Sequence, residues 1–182
     1  GTGVAHCPIS NMKLSSGVCR IPDMLKLGVP VGLAVDGSAS NDGSSLLEEL
    51  RVAYLLHRLH SSEKAPSGYD CLKIAVRGSA RVLGREDVGS LEPGKAGELF
   101  LIRRDRLELV GADLDVKSML GTVGFKGPVD ATVVNGRVVV KDGRLTGVDE
   151  EKAVREARAC VQAYLRACLK SFDKREGKAD NK

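Results

Sequence analysis

VPVGLAVDGSASNDGSSLLEEL, residues 29–50, runs an apolar strand into a single aspartate, Asp36, then through a Gly/Ser/Asn/Asp turn into the start of a helix. The near-continuous apolar run Pro30 to Val35 is the mark of a strand buried on both faces of a parallel sheet. Residues at the carboxyl ends of such strands are the ones α/β folds place for chemistry. Asp36 is therefore the first candidate for a catalytic group. Gly37 lets the backbone turn sharply away from it, and Ser38, Ser40 and Asn41 can supply supporting hydrogen bonds. By local pattern alone, an Asp-Gly after an apolar strand is more often an ordinary turn.

On the N-terminal side, Val4 to Cys7 reads as a short strand, ended by Pro8 and a polar Ser10-Asn11 turn. Ile21 to Leu27 has a proline near its first turn, apolar residues at helical spacing, and Gly28 as its stop. On the C-terminal side, Ser44 or Ser45 can cap the helix LLEELRVAYLLHRLH. Its apolar stripe is Leu46, Leu50, Ala53, Tyr54 and Leu56 or His57. Asp42 reads as a turn residue that helps cap this helix, and Glu48-Glu49 as first-turn carboxylates favoured by the dipole. His57 and His60 are spaced to pair on a metal, but Arg58 between them and the lack of a third ligand predict a solvated face.

A second amphipathic helix, YDCLKIAVRGSARVLG, closes at Gly84. The Gly/Pro-rich passage VGSLEPGKAGE then hands over to strands in ELFLIRRD and DATVVNGRVVVKDGRLT, with hairpin signals at Asn135-Gly136 and Asp142-Gly143. The composition shift between Gly84 and Gly97 divides the chain into 1–90, α/β; 91–148, mostly β-hairpin; and 149–182, a long helix to about Phe172 with a charged tail expected to fray. The chain opens on a strand with no preceding element and no initiator Met, as expected of a piece of something longer.

Composition sets the bounds. Hydrophobic content of 42% and charged content of 29% are those of a soluble globular protein, and 182 residues can bury a substantial core. The net charge of +4 owes much to the C-terminal quarter, so it predicts no nucleic-acid partner. Aromatics are 3% with no Trp, which leaves little surface for stacking bases. No apolar run approaches the roughly 20 residues of a membrane span, and no signal peptide is visible. Five cysteines without CxxC or Cys/His ligand spacing point to a reducing compartment, with the cytoplasm as default. Cys7 has no evident activating base and reads as packing. Ser38-Ala39-Ser40 lacks the G-x-S-x-G of a hydrolase elbow.

Four segments, in order, resemble the C-terminal part of the amidohydrolase superfamily, in its cytosine deaminase and chlorohydrolase-like branch. HCPISNMKLSSG is similar to that family's HxPxSNxxLxSG element on barrel strand seven, and VGLAVDGSASND to its strand-eight GxDGxxSN element. GSLEPGKAGELFLI is similar to the return from the barrel to a side β-sandwich, and DATVVNGRVVVKDGRL to that domain's closing hairpin. GSASNDGSSLLEELR and VVNGRVVVKDGRLTGVDEEK look closest to 8-oxoguanine deaminases and their hydroxyatrazine-processing relatives. There are departures: Pro93-Gly94-Lys95-Ala96-Gly97-Glu98 stands where the family has PGKxAD, and the segment Gly111 to Val116 lacks the family's histidine.

The resemblance implies an α/β chain carrying strands seven and eight of a (β/α)8 metal-dependent hydrolase barrel, part of a β-sandwich side domain and a C-terminal helix. It implies a single divalent metal, zinc with iron as the alternative, whose histidine ligands lie on strands this chain does not contain. Asp36 carries over as the metal-bound, catalytic aspartate of strand eight. His6, Ser10 and Asn11 carry over to the strand-seven rim near the substrate or the structure beneath it, and Ser38 joins them as a compact donor to a ring. By residue type alone, His6 reads more readily as a hydrogen-bonded strand-end histidine than as a ligand. The reaction implied is hydrolytic deamination of a purine or triazine-like ring. The expected partners are the heterocyclic substrate, the missing N-terminal barrel segment and, in the intact enzyme, a possible second copy; nucleic acid and membrane are not expected. Two alternatives stand beside this reading: a catalytically silent truncated or split-chain subunit, and a chlorohydrolase or amide hydrolase on the same fold.

Overall fold

Two short parallel strands, β1 (Val4–His6) and β2 (Val31–Leu33), pair with Val4 opposite Val31, Ala5 opposite Gly32 and His6 opposite Leu33. They belong to a computed structural model that describes residues 1–179, with side chains described through Lys170. All three residues of β2 are buried, as the unbroken apolar run requires of a strand covered on both faces. Between the strands lie α1 (Pro8–Lys13) and α2 (Ile21–Lys26), each with a proline in its first turn, where the missing N–H costs nothing. The polar turn expected after Pro8 is thus a helix: Pro8 starts α1 rather than only ending β1.

After β2 come α3 (Leu46–Ser61) and a helical run made of α4 (Gly68–Lys73), a π-helical turn (Ile74–Gly78) and α5 (Ser79–Val82). Ser45, not Ser44, caps α3 by accepting the Glu48 amide, and Ser67 with Asp70 forms a reciprocal capping box on α4. Asp42 does not cap α3; it pairs with Lys13 at 2.6 Å across the two strand-end segments. The core joins Ile21, Val31, Leu33, Leu50, Ala53, Cys71 and Ile74, so the helices pack against β2.

A second, antiparallel sheet has the order β3 (Leu99–Leu101), β4 (Ala131–Val134), β5 (Arg137–Lys141), β6 (Arg144–Leu145). Asn135 and Gly136 both have positive φ, as do Asp142 and Gly143, the conformation that two-residue hairpin turns demand. A short helix α6 (Met119–Thr122) lies between β3 and β4 and packs on α3 and α4. Last is α7 (Glu150–Ala179). The tail expected to fray is helical as far as Ala179, and 180–182 lie outside the described residues.

Candidate active site

Because β1 and β2 are parallel and in register, the segments leaving their carboxyl ends emerge side by side. Ser10 lies four residues beyond His6 on α1, and Asp36 three residues beyond Leu33. The two meet: Ser10 Oγ donates to Asp36 Oδ2 at 2.6 Å, and the Gly37 amide donates to Oδ1 at 2.8 Å. Asp36 has φ +67°, in the left-handed region that Asp and Asn enter more readily than other non-glycine residues. The local turn chemistry of Asp-Gly is therefore what aims the carboxylate. Ser10 is buried and Asp36 exposed, so a fixed donor from below holds a carboxylate whose remaining lone pairs are open. The Ser10 hydroxyl, then the Gly37 amide and more weakly Ser40, hold the Asp36 carboxyl below the usual carboxylate range, so it is ionised at neutral pH.

The other residues singled out in the sequence are placed differently. Asn11 is half-buried on α1, Ser38 is exposed on the turn after Asp36, and among the described residues neither side chain hydrogen-bonds the carboxylate. His6 is 2% exposed and packs on His57 of α3, with 3.3 Å between the two Nε2 atoms and 5.3 Å between ring centroids. Burial, and then the nearby His57, push His6 down to about 4; burial also lowers His57, so both rings are neutral at pH 7. One ring donates its Nε2–H to the other. The solvated face predicted for His57 and His60 thus holds for His60 alone. His57 is buried because it continues the stripe Glu49, Leu50, Ala53, which turns away from Leu46, itself exposed. Burial likewise raises the Cys7 thiol, in keeping with a packing role.

Glu49 is the largest surprise. It lies in the first turn of α3, as its sequence position predicts, but is completely buried. Its Oε2 accepts the Ile9 amide at 3.1 Å and its Oε1 accepts Asn41 Nδ2, which also donates to the Val35 carbonyl at 2.9 Å. Burial pushes the Glu49 carboxyl above the usual range, opposed by the Ile9 and Asn41 hydrogen bonds. The signal that could have exposed it is spacing: Glu49, Ala53 and His57 fall at i, i+4 and i+8 on one helix face.

Residues 1–139 match the Amidohydrolase family. The chain belongs to this family. It is 46% identical over 160 residues to hydroxydechloroatrazine ethylaminohydrolase of Pseudomonas sp. (strain ADP), a match over 86% of this chain and 33% of that protein. It is 39% identical over 165 residues to 8-oxoguanine deaminase of Pseudomonas aeruginosa, over 91% of this chain and 36% of that protein. Atrazine chlorohydrolase TrzN from Arthrobacter aurescens TC1, solved complexed with zinc, superimposes with a TM-score of 0.82 at 37% identity, over 87% of this chain and 36% of that one. The chain therefore spans about a third of the length of its curated relatives, and its mixed α/β fold is a part of the amidohydrolase fold. Its relatives in the family are hydrolases and deaminases.

An ionised, exposed, donor-held carboxylate fits one position of a zinc site. Among the described residues no three His, Cys, Asp or Glu gather as a full ligand set, so a zinc ion at Asp36 would need further ligands from outside them. No helix among the described residues is long and apolar enough to cross a membrane.

Proposed function

We propose that this chain is the C-terminal part of a metal-dependent amidohydrolase that removes ammonia or an amine hydrolytically from a purine or triazine-like ring. In this reading residues 1–90 contribute strands seven and eight of a (β/α)8 barrel, 91–148 part of a side β-sandwich and 149–182 the closing helix. A separate or preceding segment supplies the remaining barrel strands and the histidine ligands. The enzyme works in the cytoplasm, a setting that suits five cysteines, all free in this structure.

The observation that carries the reading is the Ser10–Asp36 pair, one residue from each of two adjacent parallel strand ends, with the carboxylate ionised and open. Asp36 would be one ligand of a zinc ion, or of iron, which when bound makes water nucleophilic at neutral pH. With its exposed oxygens free, the Asp36 carboxylate would accept a proton from the attacking water and pass it to the departing amine. Ser10 and the Gly37 amide keep the carboxylate from rotating while it does so. Asn11 and Ser38, on the two segments flanking the pair, can hydrogen-bond the polar edge of a planar ring.

A panel of guanine, 8-oxoguanine, cytosine, adenosine and hydroxyatrazine, assayed with the complete enzyme for ammonia or amine release, tests this. Turnover is expected with an oxo-purine or hydroxytriazine and to be weaker by orders of magnitude, up to about 10⁴, on rings that lack the matching hydrogen-bonding groups. Hydrolysis of cytosine alone would overturn the assignment to this branch. The likeness to atrazine chlorohydrolase favours one second reading, release of chloride instead of an amine, so chloride release from a chlorotriazine belongs in the same panel. No turnover on any ring by a zinc-loaded protein would favour a silent subunit.

A further inference from the structure

We propose that Glu49 is a positioning residue, a buried carboxylate that locks the two strand-end segments together so that Ser10 and Asp36 stay in contact. The inference rests on the reading of Asp36 as the catalytic carboxylate. Ile9, whose amide donates to Glu49 Oε2, immediately precedes Ser10. Val35, whose carbonyl accepts Asn41 Nδ2, immediately precedes Asp36. One carboxylate and one amide therefore bridge the residues directly before both members of the pair. Asn41 completes the bridge by accepting the Gly43 amide on Oδ1 at 3.2 Å, and its own amide donates to the Gly37 carbonyl at 3.0 Å.

The chemistry requires an acceptor on both sides. Ile9 N–H and Asn41 Nδ2–H both point donors at Glu49, and its carboxyl group offers one acceptor oxygen to each. Ile9 lies in the first turn of α1, where an amide has no intrahelical partner, so Glu49 also satisfies a donor that would otherwise be buried unpaired. No Lys or Arg forms an ion pair with Glu49 among the described residues, so the hydrogen bonds from Ile9 and Asn41 are what offsets its removal from water. A side chain needed only to fill space would be apolar. In Glu49→Gln the shape is kept, but the new NH₂ must face one of the two donors. Either Ile9 or Asn41 loses its partner, and the strand-end segments loosen relative to one another.

The test is made on the complete enzyme, wild type against Glu49→Gln and, from the other side of the bridge, Asn41→Ala. We expect kcat to fall at least about tenfold while KM changes less than about threefold, since an interaction that orients the reacting group acts mainly on the chemical step. Amide hydrogen exchange should quicken at Ser40 and Asn41, both bonded to the Gly37 carbonyl, and stay unchanged in β1 and β2. If Glu49→Gln does not fold, Asn41→Ala alone decides. Lowered Tm with unchanged kcat and unchanged exchange in folded protein would reduce Glu49 to a stability role and overturn the proposal. If the wild type hydrolyses no ring, the reaction assignment has failed instead, and exchange then decides: acceleration confined to this turn supports positioning, and its absence contradicts it.

Discussion

Asp36→Asn is expected to lower the turnover of the complete enzyme at least about a hundredfold, with substrate affinity changed far less. The amide cannot take a proton from water, so the loss falls on the chemical step. The substitution is also the cleanest available at this position. Asn tolerates the φ of +67° as well as Asp does, whereas Ala would add backbone strain. Its carbonyl can still accept the Gly37 amide, and its NH₂ can donate to Ser10 Oγ once that hydroxyl rotates. The loss can therefore be assigned to proton transfer and charge rather than to misfolding. Steady-state kinetics on the variant, with circular dichroism to check the fold, measure it. Near-normal turnover would remove Asp36 from the mechanism.

Gly78→Ala is expected to be among the most destabilising single methyl additions in the chain. Helix propensity alone predicts the opposite, since Ala is favoured over Gly in a helix by about 1 kcal/mol. Packing overrides it. A Cβ on Gly78 would lie 1.9 Å from the carbonyl oxygen of Val31, a backbone atom of β2 that cannot rotate away. The facing strand residue, Gly32, is equally closed, with its own Cβ position 2.7 Å from the Ser79 Cα. The π-helical turn Ile74–Gly78 thus sits directly against the strand that leads to Asp36. Overpacking in such a contact costs about 3 kcal/mol or more, because helix and strand must separate. Thermal or denaturant unfolding measures it. A variant as stable as the wild type would show that the helix does not approach β2 this closely.

Much of the architecture was legible because its signals are local. The apolar run before Asp36, the proline in the first turn of α2 and the Asn135-Gly136 and Asp142-Gly143 turns each depend on a few adjacent residues. Asp36 stood out because its position after a buried strand is itself a local pattern. The partners of the site were harder to read. Glu49 touches Ile9 forty residues away and His57 touches His6 fifty-one residues away, contacts that exist only once α3 lies over the paired strands. Glu49 in a first turn and His57 beside Arg58 look solvated by composition, and only the helix face they share with Ala53 argues otherwise. Pro8 misled for a related reason: a proline after a strand ends it, yet proline is also the residue best suited to start the helix that brings Ser10 under Asp36. The salt bridge from Lys13 to Asp42 carries no sequence signal, since it joins the last residue of α1 to the turn that follows Asp36.

Asp36 is proposed to supply one corner of a metal centre whose other ligands lie on a segment outside this chain. Zinc content after dialysis against a weak chelator tests it most directly, measured on the 182-residue chain alone and on the complete enzyme. No stoichiometric zinc is expected on the chain alone, since one carboxylate is far from the three or four protein ligands zinc normally takes, and about one zinc is expected per complete enzyme. Stoichiometric zinc held by the chain alone, or a complete enzyme that binds none, would contradict it.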